Sequence, residues 1–130
     1  MVMRKIKITL ASDDGVATAA CSELLDRHAA IEVVASLDDL TGHGAWLAMA
    51  QSDVLLIDES LLSRGGFEPL NMLLSTYPEV HCLLILESTC ENKALWALMQ
   101  GVRGVLTIRE IRPLLIRAIT ELVAGEIWAP

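Results

Sequence analysis

A doubly wound α/β domain, with a five-stranded parallel sheet in the order 2-1-3-4-5, is the fold that three observations predict. Apolar runs of strand length alternate strictly with segments of helical spacing along the 130 residues. The links between them are short, so each strand reaches a parallel neighbour through a right-handed helical crossover. One run, Val54 to Ile57, is apolar without interruption, as in a strand covered on both faces, and it stops at Asp58.

The elements follow in order. "KIKITLA" (5 to 11) sets Ile6, Ile8 and Leu10 on one face of a first strand, and "GVATAACSELLDRH" (15 to 28) offers Val16, Ala20 and Leu24 for a packed helix. "IEVVAS" (31 to 36) is a β-branched second strand; "GHGAWLAMA" (42 to 50) is a weaker helix, with two glycines at its start. After the third strand, "GFEPLNMLLSTYP" (66 to 78) carries Leu70, Leu73 and Leu74 at helical spacing and stops before Pro78. "VHCLLIL" (80 to 86) is the fourth strand, and "NKALWALMQG" (92 to 101) a helix closed by its glycine. "GVLTI" (104 to 108) is a short fifth strand. "RPLLIRAITELVAG" (112 to 125) is the last helix, with Pro113 in its first turn and Leu115, Ala118, Ile119 and Leu122 on one face. The count is five strands and five helices, and the stretch "AGEIWAP" reads as a departure from the globule.

Composition narrows the function classes. A chain of 130 residues is one domain, and with 53% hydrophobic and 21% charged residues it can bury a full core. No apolar run approaches the roughly 18 residues of a membrane span, and the opening "MVMRKIKITLAS" is too briefly apolar for a secretion signal, so a cytoplasmic protein is expected. Cys21, Cys82 and Cys90 show no C-x-x-C spacing, which argues for reduced thiols over a disulfide framework or a zinc site. The net charge of -7 opposes attraction to nucleic-acid phosphates, so this chain alone is not expected to bind DNA.

The functional reading turns on Asp58. Open parallel sheets bind ligands outside the carboxyl ends of their strands, where Asp58 falls; a lone acid there also serves to start a turn or cap a helix. A second acidic cluster, "SDDG" (12 to 15), follows the first strand, next to the third in the predicted order. Both clusters then face one crevice.

With these clusters in place, the chain resembles the receiver domain of bacterial two-component response regulators, a flavodoxin-like fold. "DVLLIDESLLSRGGFE" looks like the phosphoacceptor strand and loop, with Gly66 eight residues after Asp58 where the family has its turn glycine. "ALWALMQGVRGVLT" (94 to 107) resembles the family's "AL.AGA.GYLLK" passage without a gap, and "AITELVAGEIWAP" (118 to 130) resembles the end of LuxR/NarL-class receivers. The resemblance covers essentially the whole chain. It implies a receiver-like domain over residues 1 to 125, with 126 to 130 starting a linker to a helix-turn-helix output domain.

The same resemblance marks departures. A working receiver needs a nucleophilic carboxylate, an acidic pair holding Mg²⁺, a phosphate-binding hydroxyl and a lysine, all serving to position and stabilise a loose transition state. Asp58 supplies the phosphoacceptor. Ungapped alignment places Ser12 and Asp13 on the acidic pair, unless a shift brings Asp13 and Asp14 into register; a reduced Mg²⁺ site of Asp13, Asp58 and Ser60 is what remains. The hydroxyl position falls on Leu86, the small residue after it on Glu87, the lysine position on Ile108 and the aromatic switch position on Val105. Asp13 and Asp58 are expected to converge, with Leu86 and Ile108 closing the pocket. Glu87 and Glu59 add negative charge nearby, and Arg109, read on a strand, points to the opposite face.

The expected function is a regulatory receiver-like domain of a transcriptional response regulator. It acts through dimerisation or output-domain contact, with weak or no dependence on phosphorylation. The alternatives are a conventional receiver phosphorylated on Asp58 by a histidine kinase and, more distantly, a phosphohydrolase of the same architecture, for which Ser60 supplies no general acid. No catalytic residue is assigned, and DNA is reached only through an output domain. His28, His43 and His81 are scattered and take no role, "SRGGF" lacks the Lys-Ser/Thr of a P-loop, and Cys21 and Cys82 read as small core residues. Trp96 lies outward of the Leu95, Ala97 and Leu98 pattern and marks a candidate homodimer interface, joined by Ile127 and Trp128 of the tail.

Overall fold

The apolar run that ends at Asp58 forms β3 (Val54–Asp58), and every residue in it is buried. The computed structural model describes residues 4–13, 15–88 and 90–128. Around β3 lie β1 (Ile6–Ala11), β2 (Ile31–Leu37), β4 (His81–Leu86) and β5 (Gly104–Thr107), paired in parallel in the order β2-β1-β3-β4-β5. This is the sheet the alternating pattern predicts.

Two apolar layers hold it. Leu55, Ile57, Leu84 and Leu86 face α2 (His43–Gln51), α3 (Glu59–Gly65), α4 (Glu68–Thr76) and α5 (Glu91–Met99), packing with Met49, Leu62, Leu73 and Ala97. Val54, Leu56, Leu83 and Ile85 point the other way, toward α1 (Val16–Asp26) and α6 (Ile111–Val123), where Cys21, Leu25, Leu115 and Ile119 meet them. The period-2 alternation of each central strand thus serves both faces at once.

Three expectations need correction. The described residues hold six α-helices, not five: α3 occupies "ESLLSRG", read from sequence as a loop. It forms because Asp58 caps it, accepting from the Ser60 N–H, and because Leu61 and Leu62 are buried; Gly66, at φ 73, then separates it from α4. On α1 the buried face runs through Cys21 and Leu25, one residue on from the expected Ala20 and Leu24; Ala20 is exposed. The Val16 side chain lies outside what is described. Ile108 belongs to no strand. It opens a 3-10 turn, Ile108–Glu110, held by a capping box in which Thr107 and Glu110 satisfy each other's backbone groups.

The stretch after α6 also differs from expectation. Glu126 to Trp128 return along the free edge of β5, where the Trp128 N–H donates to the Arg103 carbonyl (3.0 Å) and the Val105 N–H donates to the Trp128 carbonyl (2.8 Å). An edge strand otherwise leaves such groups unpaired. The Trp128 ring packs on the α1/α6 layer, with the Arg117 guanidinium 5.7 Å from its centroid. Trp128 is therefore partly buried, while Ile127 is exposed. Residues 129 and 130 lie outside the described residues.

This return depends on Gly104. A Cβ there would stand 2.9 Å from Leu83 Cδ1, 3.1 Å from Trp128 Cβ and 3.3 Å from Leu122 Cδ2. Gly104→Ala should therefore destabilise the domain by about 1 to 3 kcal/mol, the usual range for overpacking a filled site. Thermal melting checks this, and an unchanged midpoint would show that the tail gives way freely.

Candidate functional site

The parallel pairing of β1 with β3, which sets Ala11 beside Ile57, brings Ser12 and Asp58 together at the carboxyl ends of the two strands. Asp58 is only 8% exposed. Its Oδ2 accepts from the Ser12 hydroxyl (3.1 Å) and its Oδ1 from the Ser60 N–H (3.3 Å). Ser12 Oγ in turn accepts from the Gly15 N–H (3.1 Å), which Gly15 presents from a left-handed conformation (φ 77) at the head of α1. A relay thus runs from Gly15 through Ser12 to Asp58. Asp58 caps a helix and also stands in the crevice, so the two readings of that acid are not exclusive.

Asp13 is exposed beside this relay, and Asp14, the partner in the shifted register, lies outside the described residues. Ser60 Oγ is buried next to Asp58 and meets no hydrogen-bond partner among the described residues. A receiver's Mg²⁺ would have to be held by these groups. Among the described residues no three His, Cys, Asp or Glu side chains come together, and the Ser12 proton is already directed at Asp58. Asp58 and the exposed Asp13, with the hydroxyls of Ser12 and Ser60, would be the groups to hold such an ion, a thinner donor set for a hard divalent cation than three carboxylates.

Leu86, which the resemblance puts at the hydroxyl position, is 2% exposed and turned into the α2/α4/α5 layer, as is Val105. Ile108, which the resemblance puts at the lysine position, is 44% exposed on the 3-10 turn and does not close the pocket as expected. The same turn changes the reading of Arg109. Placed on a helical turn instead of a strand, Arg109 borders a cavity of about 460 Å³ together with Glu87, Ser88 and Thr107.

Glu59 plays a part the sequence reading missed. Its Oε1 accepts from the Glu87 N–H (2.8 Å) and its Oε2 pairs with Lys93 Nζ (3.3 Å), tying the start of α3 to α5. The negative charge expected from Glu59 is thereby balanced. No periodicity could have revealed the pairing, since Glu59 and Lys93 are 34 residues apart.

Burial, and after it the Asp58 carboxylate, pushes the Cys21 thiol up to about 12. Burial alone does the same for Cys82. At pH 8 the thiolate fraction of each is then about one part in 10⁴. A thiol reagent should modify the partly exposed Cys90 first and reach Cys21 and Cys82 only on unfolding. Prompt labelling of all three in the folded protein would contradict this packing.

The site and the sheet can be set beside known proteins. No protein-family model matches the sequence. The chain is 27% identical over 121 residues to the DNA-binding transcriptional activator DevR/DosR of Mycobacterium tuberculosis, covering 92% of this chain and 55% of that protein. It thus spans about half the length of the curated relative it matches. Its fold superimposes on the signal receiver domain of the response regulator NarL from Mycobacterium tuberculosis with a TM-score of 0.80 and 21% identity, covering 95% of this chain and 99% of the other. A LuxR-family two-component response regulator from Aurantimonas sp. SI85-9A1 gives 0.81 and 22%, over 95% of this chain and 89% of that one. The fold is the flavodoxin-like receiver fold, and along most of its length the chain is similar to receivers of LuxR/NarL-type regulators. No helix among the described residues is long and apolar enough to cross a membrane.

Proposed function

We propose that this chain is the receiver-like regulatory domain of a transcriptional response regulator, acting through dimerisation or output-domain contact with weak or no dependence on phosphorylation. The observation that carries the reading is the surroundings of Asp58. Among the described residues its carboxylate meets one hydroxyl and one backbone N–H, and the receiver resemblance assigns the phosphate-binding hydroxyl and lysine positions to Leu86 and Ile108. A regulator so built has little means of stabilising a phosphoryl group. The domain is not an enzyme; it is cytoplasmic, and its outputs are contacts.

In this reading, the regulatory domain takes in the expected residues 1 to 125 together with the returning Trp128, which pairs with β5, and the linker to a helix-turn-helix output domain, through which DNA is reached, starts after that pairing. The length of DevR/DosR, about twice the part matched here, supports that organisation. The surface for self-association is α5 with β5 and α6. If dimerisation is the output and phosphate is not, Asp58→Asn should leave the association constant of the domain unchanged, with or without a phosphodonor and Mg²⁺. Sedimentation tests this. Association that strengthens with phosphodonor in the wild type and not in Asp58→Asn would favour the conventional reading, in which a histidine kinase loads Asp58.

A further inference from the structure

Between α3, the start of α4 and α5 lies a half-open cavity of about 230 Å³. Leu84 and Leu86, both buried on β4, line its inner side. Phe67 and Trp96 stand edge to face beside them, with ring centroids 4.3 Å apart and planes at 78°. Leu86 matters twice over: the leucine that denies Asp58 a hydroxyl also makes this lining apolar. Cavities for drug-sized ligands run from about 300 Å³, and an apolar site of about 150 Å³ holds benzene, so this one suits a molecule of one or two rings.

The polar groups at the cavity define the rest of the ligand. Glu59 has committed both carboxylate oxygens, one to the Glu87 N–H and one to Lys93. Ser63 donates its hydroxyl proton to the Glu59 carbonyl. Lys93 carries the cationic group of the lining, an ammonium with three N–H groups of which Glu59 engages one. The ammonium N–H groups that Glu59 does not engage can take a second anion.

We propose that this cavity binds a small flat aromatic carboxylic acid, its ring against Phe67 and Trp96 and its carboxylate on Lys93. Such a ligand contacts the start of α4, β4 and α5 together, and so fixes how α5 presents its outer surface. The inference goes beyond the phosphorylation reading and does not depend on it, because binding is read directly.

The test is titration of the isotope-labelled full chain with naphthoate, followed by NMR, beside the neutral naphthalenemethanol. Saturable shifts at Leu62, Phe67, Lys93 and Trp96 are expected, with a dissociation constant of about 0.1 to 1 mM for the acid and about threefold weaker binding of the alcohol. Lys93→Gln, an exposed substitution that leaves the core intact, should abolish the difference between acid and alcohol. Naphthoate producing no saturable shifts at these residues overturns the site. An alcohol that binds the wild type as tightly as the acid overturns the carboxylate assignment.

Discussion

Leu86→Thr combined with Ile108→Lys should accelerate the loading of Asp58 by acetyl phosphate and Mg²⁺ by roughly 10² to 10⁴. Each change returns a polar group to the position that the receiver resemblance assigns it, and a lysine's flexible four-carbon stem can reach back from the 3-10 turn; a charge-assisted contact is worth about 1.5 to 3 kcal/mol, so two such contacts would lower the barrier by about 3 to 6 kcal/mol. Leu86 is buried in the α2/α4/α5 layer, so the threonine lowers stability as well, and thermal melting must accompany the kinetics. Ile108→Lys alone is the safer first step, because that side chain already reaches solvent. Rates of the double variant equal to the wild type would mean that the missing hydroxyl and lysine are not what limits Asp58.

The second large effect concerns self-association. The outer face of α5 carries Leu95, 61% exposed, Trp96, 49%, and Met99, 74%. Contiguous exposed apolar side chains on one short helix mark an association surface more than a solvated one, and a two-fold contact buries such a patch against its own copy. Truncating a central tryptophan in an interface often costs 2 kcal/mol or more, on the order of thirtyfold in dissociation constant. Trp96→Ala should loosen the proposed dimer by about that factor. Leu95→Glu should do so without touching the Phe67–Trp96 pair. A wild-type domain that stays monomeric in sedimentation at roughly 100 μM, far above a typical 1 μM transient dimer, would exclude the proposal.

How far the sequence carried this account depends on the range of each signal. β3 was legible because its covering on both faces leaves an unbroken apolar run, and the 2-1-3-4-5 order followed from strict alternation and short links. α3 was missed although its cap was visible in principle: Asp58 precedes Leu61 and Leu62 at helical spacing, but the following Gly65 and Gly66 read as a loop. The crevice was half legible. Ser12 and Asp58 were placed on adjacent strands, yet the hydrogen bond between them, and the Gly15 N–H behind it, depend on where side chains settle after folding.

Long-range contacts were beyond reach. The return of Trp128 onto β5 is a backbone pairing to an edge, with no composition or period to announce it. Leu95 was assigned inward from the pattern around it, whereas α5 buries the smaller Ala94 and Ala97 against the sheet and turns Leu95 out. Small residues let that helix sit close, and the pattern of large apolar residues misleads for that reason. Ile108 and Arg109 changed sides because one 3-10 turn ended the strand a residue early.

Phosphate incorporation at Asp58 tests the central claim most directly. Wild-type protein and Asp58→Asn, each incubated with acetyl phosphate and Mg²⁺, would be weighed as intact chains by mass spectrometry over time. Slow and substoichiometric phosphorylation of the wild type, little different from Asp58→Asn, is the result expected if Leu86 and Ile108 hold the hydroxyl and lysine positions as proposed. Rapid, near-stoichiometric incorporation that vanishes in Asp58→Asn would contradict it and show that another group does the work of the missing pair.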